Sequence, residues 1–161
     1  MEAIYAPWRS EYIRGKKPGG CIFCKSSLRS DEFVLFEGKT CFVMMNRYPY
    51  SCGHLMIIPY RHLSNFHDLI PDEKLEMFNL LDLAVMVLEK TMKPDGLNLG
   101  INLGKVAGAG VDDHIHAHVV PRWTGDTNFM TVVGESRVIS EDLTKTRNNL
   151  LPFFEMLSRE V

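Results

Sequence analysis

Between Asp113 and Arg122 the chain reads Asp113-His114-Ile115-His116-Ala117-His118-Val119-Val120-Pro121-Arg122, three histidines alternating with apolar residues. A period of two is the period of a β-strand, whose successive side chains point to opposite faces. Read as a strand, the run puts three imidazoles on one face and Ile115, Ala117 and Val119 on the other. A helix would scatter the imidazoles around its axis. The segment therefore demands a sheet with one apolar face against a core and one polar face turned towards chemistry. Immediately before it stand Gly104, Gly108 and Gly110. Such glycines let backbone approach a ligand closely and turn N–H groups towards an anion.

The remaining pattern supplies that sheet. Runs at 33–37 and 40–45 are β-rich and separated by Gly38-Lys39, a hairpin signal. A third strand is expected at 55–59, entered through the turn Tyr50-Ser51-Cys52-Gly53. Pro71, Asp72 and Glu73 open a helix, since proline suits its first turn and acids suit the positive end of its dipole. Leu75, Phe78, Leu81, Val85, Leu88 and Met92 recur at helical spacing and are expected to form its buried face. Pro94-Asp95-Gly96 stops it. Further strands are expected at 97–103 and 115–120, and a final helix from about Ser140, with Ser140-Glu141-Asp142 as its start. The reading is an α+β domain: an antiparallel sheet of about five strands, one long helix and a C-terminal helix. Several strands carry few polar residues, so their second face needs cover from a helix or another subunit.

With 161 residues, 45% of them hydrophobic and 24% charged, the chain suits one soluble domain over 1–161. Its core is expected at about 21–130, with a C-terminal helical extension at about 131–161. A formal net charge of -2 gives no field for a nucleic-acid polymer and no polybasic membrane anchor. No apolar run approaches the roughly 20 residues that span a bilayer. The first fourteen residues do not read as a secretory signal, and a cytoplasmic protein is expected. Of four cysteines, Cys21 and Cys24 form a C-x-x-C pair, Cys41 reads as core, and Cys52 receives no role. In a reducing compartment the pair points to metal or redox chemistry.

The three histidines are half of the six in the chain, which argues against core filling. Two readings stand: a metal site, or phosphoryl and nucleotidyl transfer, in which one ring attacks phosphorus and another donates a proton. The glycine loop favours the second. His67, in Asn65-Phe66-His67-Asp68, reads as a surface or helix-start residue, and Met44, Met45, Met56 and Met77 read as core.

The run from His114 to Val120 resembles the H-φ-H-φ-H-φ-φ signature of the histidine triad (HIT) family, which acts on nucleotides. The likeness extends over roughly 21–130. Phe42-Val43-Met44-Met45-Asn46-Arg47, Pro49 and Gly53-His54-Leu55 resemble the nucleoside pocket of its fragile-histidine-triad branch. Trp123-Thr124-Gly125-Asp126-Thr127-Asn128-Phe129 resembles bacterial and archaeal members, some of them diadenosine tetraphosphate phosphorylases. The resemblance implies a HIT-like fold with His116 as nucleophile and His118 on the phosphate, assisting proton transfer. It implies Asn46 on ribose, Phe42, Val43, His54 and Leu55 around the base, and Asn102, Gly108 and Gly110 on phosphate. Many relatives carry a glutamine or a hydroxyl residue just before the triad. Here the run is Ala107-Gly108-Ala109-Gly110-Val111, which leaves phosphate to backbone amides and Asn102. Asp112 and Asp113 either orient a histidine or form a solvated turn, with Asp112 read as the turn.

Cys21 and Cys24, with His62 and His114, resemble the structural zinc site of some histidine triad proteins and of related galactose-1-phosphate uridylyltransferases. Two thiolates and two imidazoles suit tetrahedral zinc, which would clamp the N-terminal loop to the catalytic strand and orient His114. No organic cofactor is expected. The implied activity is cleavage of an adenine dinucleoside polyphosphate through nucleotidyl-His116, leaning to the phosphorylase (an ATP adenylyltransferase in reverse) over the hydrolase. Alternatives are a nucleoside phosphoramidate hydrolase and a nucleotide sensor with little turnover. A homodimer is implied by the family and by the surplus of apolar strand surface. Trp8-Arg9-Ser10 and Trp123 are open between nucleotide packing and a subunit contact.

Overall fold

A computed structural model describes residues 20–24, 31–127 and 139–158. The readings placed on residues 1–19 and 128–138, among them Trp8-Arg9-Ser10, Asn128 and Phe129, lie outside the described residues. The elements run β1 (Val34–Glu37), β2 (Cys41–Met45), β3 (Leu55–Pro59), α1 (Pro71–Met92), β4 (Gly96–Ile101), β5 (Ala117–Arg122) and α2 (Leu143–Leu157). The strands form one five-stranded sheet in the order β1-β2-β3-β5-β4. All four pairings are antiparallel. This is the α+β architecture expected. The paired strand at the triad opens later than the alternation suggests. His114, Ile115 and His116 precede β5, tied instead through Ile115 N–H to Leu63 O at 2.7 Å, and only His118 sits in the ladder.

Every residue of β2 and β3 is buried. The hairpin between β1 and β2 turns at Gly38 and is clasped by Glu76 of α1. The Glu76 carboxylate accepts from the backbone N–H of Lys39, Thr40 and Cys41 and from the Thr40 hydroxyl. A Cβ on Gly38 would lie 2.5 Å from Glu76 Oε1 and 2.8 Å from the Cys41 carbonyl, so the clasp requires glycine there.

Helix α1 opens on Pro71, with Glu73 reaching back to the Ile70 N–H at 3.0 Å. It ends where Lys93 takes a left-handed conformation, φ 47°. Its buried face matches the expected one only in part: Leu88 is buried, and Leu81, Val85 and Met92 pack partly buried against the core. Met77, Leu80, Leu83, Ala84, Val87 and Leu88 point inward, whereas Leu75 and Phe78 are 64% and 68% exposed. The helix is apolar on more than one side, so spacing alone does not choose its rotation. Two carboxylates do. Glu73, 2% exposed, takes a two-pronged ion pair from Arg61 at 2.6 and 2.7 Å, and Glu76 takes the hairpin. Both stand on the stripe that continues through Met77, Leu80, Ala84 and Val87, and that stripe is turned to the sheet.

Helix α1 packs on β2, β3 and β5, and α2 packs on α1 and β1. The second helix is capped by Asp142, whose side chain accepts from Lys145 N–H at 3.1 Å. It buries Leu150, Phe154 and Leu157. Met44, Met45, Met56, Met77 and Cys41 are core, as expected. Strand β4 closes one edge of the sheet, and its Leu99 remains 51% exposed.

Candidate active site

The three triad histidines are buried side by side at the start of β5. The His116 and His118 rings lie 4.8 Å apart, nearly perpendicular. His116 Nδ1 stands 2.8 Å from the His114 carbonyl. A carbonyl only accepts, so Nδ1 carries the proton and the lone pair resides on Nε2. Burial holds His116 below the ordinary histidine range. A neutral ring with one nitrogen tied back and the other open is a nucleophile ready without deprotonation.

His118 is oriented by a second chain of bonds. The Tyr50 backbone N–H reaches His54 Nδ1 at 3.1 Å, and the Asn46 amide nitrogen approaches it at 3.4 Å. With Nδ1 accepting, the proton of His54 is on Nε2 and is donated to His118 Nδ1 at 2.9 Å. His118 therefore keeps its own proton on Nε2, 3.4 Å from the Asn102 amide nitrogen; both are donors, so the two N–H groups stand side by side for a shared acceptor rather than bonding each other. Burial, then the neighbouring His116, push His118 down to about 4. One ring thus offers a lone pair, and the ring beside it offers a proton.

Residues that the sequence does not single out complete this shell. Phe23, inside the C-x-x-C loop, packs on His114 and His116 at 5.7 and 5.2 Å between centroids. Tyr50 lies over His54 and His118 at 4.5 and 5.6 Å. Only the cysteine spacing around Phe23, and the position of Tyr50 in the turn before His54, could have hinted at either. A cavity of about 700 Å³ opens from Tyr50, Asn102 and His118 along β4 and β5.

Cys21, Cys24, His62 and His114 come together, their ligand atoms all within 4.8 Å of one another. Cys21 Sγ is 3.2 Å from His114 Nδ1, and Cys24 Sγ is 3.5 Å from His62 Nδ1. Tetrahedral zinc with nitrogen and sulfur ligands needs ligand atoms about 3.3–3.8 Å apart, so the set fits. His114 gives its Nε2–H to the Pro59 carbonyl at 2.9 Å, and His62 Nε2 faces Asp113 at 4.0 Å. Each ring thus has Nδ1 turned to the cluster, with the far nitrogen of His114 hydrogen-bonded to a carbonyl and that of His62 facing a carboxylate beyond bonding distance. None of the four cysteines is in a disulfide.

A family model described as the HIT domain matches residues 27–125. The chain belongs to the HIT family. It is 44% identical to the AP-4-A phosphorylase of Mycobacterium tuberculosis, over 93% of this chain and 83% of that one. It is 39% identical to the adenosine 5'-monophosphoramidase of Saccharomyces cerevisiae, over 63% and 62% of the two chains. Among solved structures, a zinc-bound histidine triad family protein of Mycobacterium smegmatis superposes with a TM-score of 0.70. That match has 26% identity and covers 88% of this chain and 97% of the other.

Within this HIT domain the expected pocket residues separate into two groups. Phe42, Val43 and Leu55 are wholly buried, and Phe42 stacks on Tyr60 at 5.3 Å. His54, also buried, is engaged by His118. Asn46 is partly buried, its Oδ1 accepting from the Tyr48 N–H at 2.9 Å. Asn102 faces His118 and the Gly108 carbonyl. Gly104 and Gly108 have positive φ of 81° and 92°, and a Cβ at Gly110 would meet nothing. The loop is open above its backbone. Asp112 is exposed and pairs with Lys105 at 3.6 Å, the solvated turn expected. His67 lies exposed in a short 3-10 turn.

Proposed function

We propose that this HIT protein cleaves dinucleoside polyphosphates of the diadenosine tetraphosphate type through a nucleotidyl-His116 intermediate, with phosphate as the preferred acceptor. The observation that carries the reading is the His116 ring: Nδ1–H fixed on the His114 carbonyl, Nε2 open beside the proton of His118. Attack by Nε2 on the α-phosphorus forms a P–N bond and breaks the bridging P–O bond. The leaving nucleoside polyphosphate departs with the electron pair. His118 Nε2–H donates to phosphate oxygen as charge develops, while the positive charge on the substituted imidazole is met at Nδ1–H by the His114 carbonyl. Attack by phosphate then regenerates the ring and releases a nucleoside diphosphate; attack by water would release the monophosphate.

Asn102 and the backbone at Gly108 and Gly110 hold phosphate oxygens, standing in for the hydroxyl or amide found in many relatives. Asn46 holds ribose. Phe42, Val43 and Leu55 support the base site from the core, and His54 orients His118. Cys21, Cys24, His62 and His114 hold zinc, which supplies structural clamping when bound. Cysteine thiolates serve as ligands only where they stay reduced, which favours a reducing compartment such as the cytoplasm. Among the described residues no strand pairs with the outer edge of β4, and that edge, with Leu99 exposed beside it, supports a homodimer formed edge to edge.

The lean to phosphorolysis rests on the 44% identity with the AP-4-A phosphorylase. Incubation with diadenosine tetraphosphate tests it. ADP and ATP formed at least tenfold faster with phosphate than without support the phosphorylase. AMP and ATP formed at the same rate without phosphate make the protein a hydrolase, and no turnover removes the enzymatic reading.

A further inference from the structure

The cavity beside His118 extends well beyond the reacting groups. Its floor is the β4–β5 ladder, where alternation brings Asn98, Gly100 and Asn102 to the same side as His118, Val120 and Arg122. From His118 to Arg122 the strand covers roughly 13 Å at the usual rise per residue. The volume of about 700 Å³ lies in the range of small-molecule sites. One end of this trough is the proton of His118. The other is the turn that follows β5.

Two features of the trough have no explanation in the fold. Gly100 sits directly opposite His118 in the ladder, yet a Cβ there would touch nothing. Glycine inside a strand weakens it, and often marks a place where a ligand approaches the backbone. The second feature is the bracing of an exposed turn. Asp126 accepts from Arg122 at 2.6 and 2.9 Å and from the Trp123 N–H at 3.1 Å. Asp95 accepts from the Thr124 N–H at 2.7 Å, and Arg122 also bonds Asn98 at 3.0 Å. The Arg122 guanidinium holds the Asp126 carboxyl well below the usual carboxylate range. These bonds fix a half-buried indole, Trp123, at the far end of the trough and engage the charged side chains there, Arg122 with Asp126 and Asp95 with a backbone N–H. A flat aromatic face whose charged neighbours are already engaged suits a nucleobase. The imidazole proton and amide at the other end suit phosphate.

We propose that this trough is a second nucleotide subsite, which binds the leaving nucleoside polyphosphate with its base on Trp123 and its phosphates running over Gly100 towards His118. The inference rests on the dinucleotide-cleaving reading, because only that substrate carries a nucleotide on both sides of the broken bond. In-line displacement sends the leaving group away from His116 Nε2. The trough gives it a place to go, and makes the second nucleoside part of what is recognised.

Binding tests this without turnover. With the first site saturated by AMP, calorimetry on the full chain should find one further ATP bound per chain. Gly100→Leu puts a side chain into the trough from a position where a Cβ meets no protein atom and should weaken that ATP at least tenfold, and Trp123→Ala should weaken it about tenfold. Gly100→Ala, a milder filling, should fall between wild type and Gly100→Leu. Melting curves identify any variant that fails to fold, and the others then carry the comparison. In turnover, the same variants should lower kcat/KM for diadenosine tetraphosphate at least tenfold more than for an AMP ester with a small leaving group. ATP that only displaces AMP, or folded variants that bind ATP as wild type does, would overturn the subsite. If ATP binds beside AMP but wild type cleaves neither substrate, the enzymatic reading fails while the subsite stands.

Discussion

At the scale of single residues, the site works by keeping rings neutral and protons assigned. Burial disfavours the charged imidazolium, and each ring's hydrogen-bond partner decides which nitrogen holds the proton. His118, pushed down to about 4, has a consequence for rate and for stability. In zinc-loaded protein the acid limb of the kcat/KM profile should lie below the ordinary 6.5, because burial keeps both rings neutral; a limb at or above 6.5 would contradict that. The stability sign follows from linkage. The folded value lies below the unfolded one, so the folded state binds fewer protons across that interval. The contribution of the neutral ring is complete above 6.5 and declines as pH falls towards 4, which denaturant titrations at stepped pH would measure.

At the scale of elements, two acids on α1 do what apolar spacing could not. Glu76 meets a burial cost, but the Thr40 hydroxyl and three backbone N–H groups outweigh it and keep its carboxyl below the ordinary range. Glu76→Ala would leave four donors without that partner and should cost about 2–3 kcal/mol, a fall in Tm of roughly 5–10 °C for a chain of this size. A loss of less than about 2 °C would mean that the clasp is incidental. The C-x-x-C loop is the other element held by a few polar atoms. Purified protein should contain one zinc per chain, and chelation should lower Tm, with Cys24→Ser giving the same loss; protein lacking zinc and indifferent to chelator would remove the site. The same contrast marks what the sequence could tell. Strands, hairpin, helix starts and triad were legible, because local spacing and residue type determine them, whereas the four-residue metal set was legible only through the family resemblance. The rotation of α1 was not, since Leu75 and Phe78 obey the helical period as well as Met77 and Leu80 do. Nor was the pairing of His54 with His118, or the packing of Phe23 and Tyr50 on the imidazoles. Those contacts exist only once distant strands have met.

At the scale of the molecule, one sheet and the segments that lead into its strands position the working parts. Strand β3 leads to His62, β5 carries His118 behind His116, and β4 supplies the trough floor and, among the described residues, an outer edge with no strand beyond it. Leu99→Asp, which puts charge on that edge face, should convert a dimer to monomer in sedimentation, whereas a variant that stays dimeric would place the interface elsewhere. All these parts converge on one atom, Nε2 of His116. The most direct measurement is the capture of its adduct: diadenosine tetraphosphate is mixed with the protein without phosphate, quenched in base, and the digest is analysed by mass. We predict one adenylyl group on His116 itself, discharged as ADP when phosphate is added before the quench, and absent from His116→Ala. An adduct on another residue, or full turnover by His116→Ala, would contradict the account.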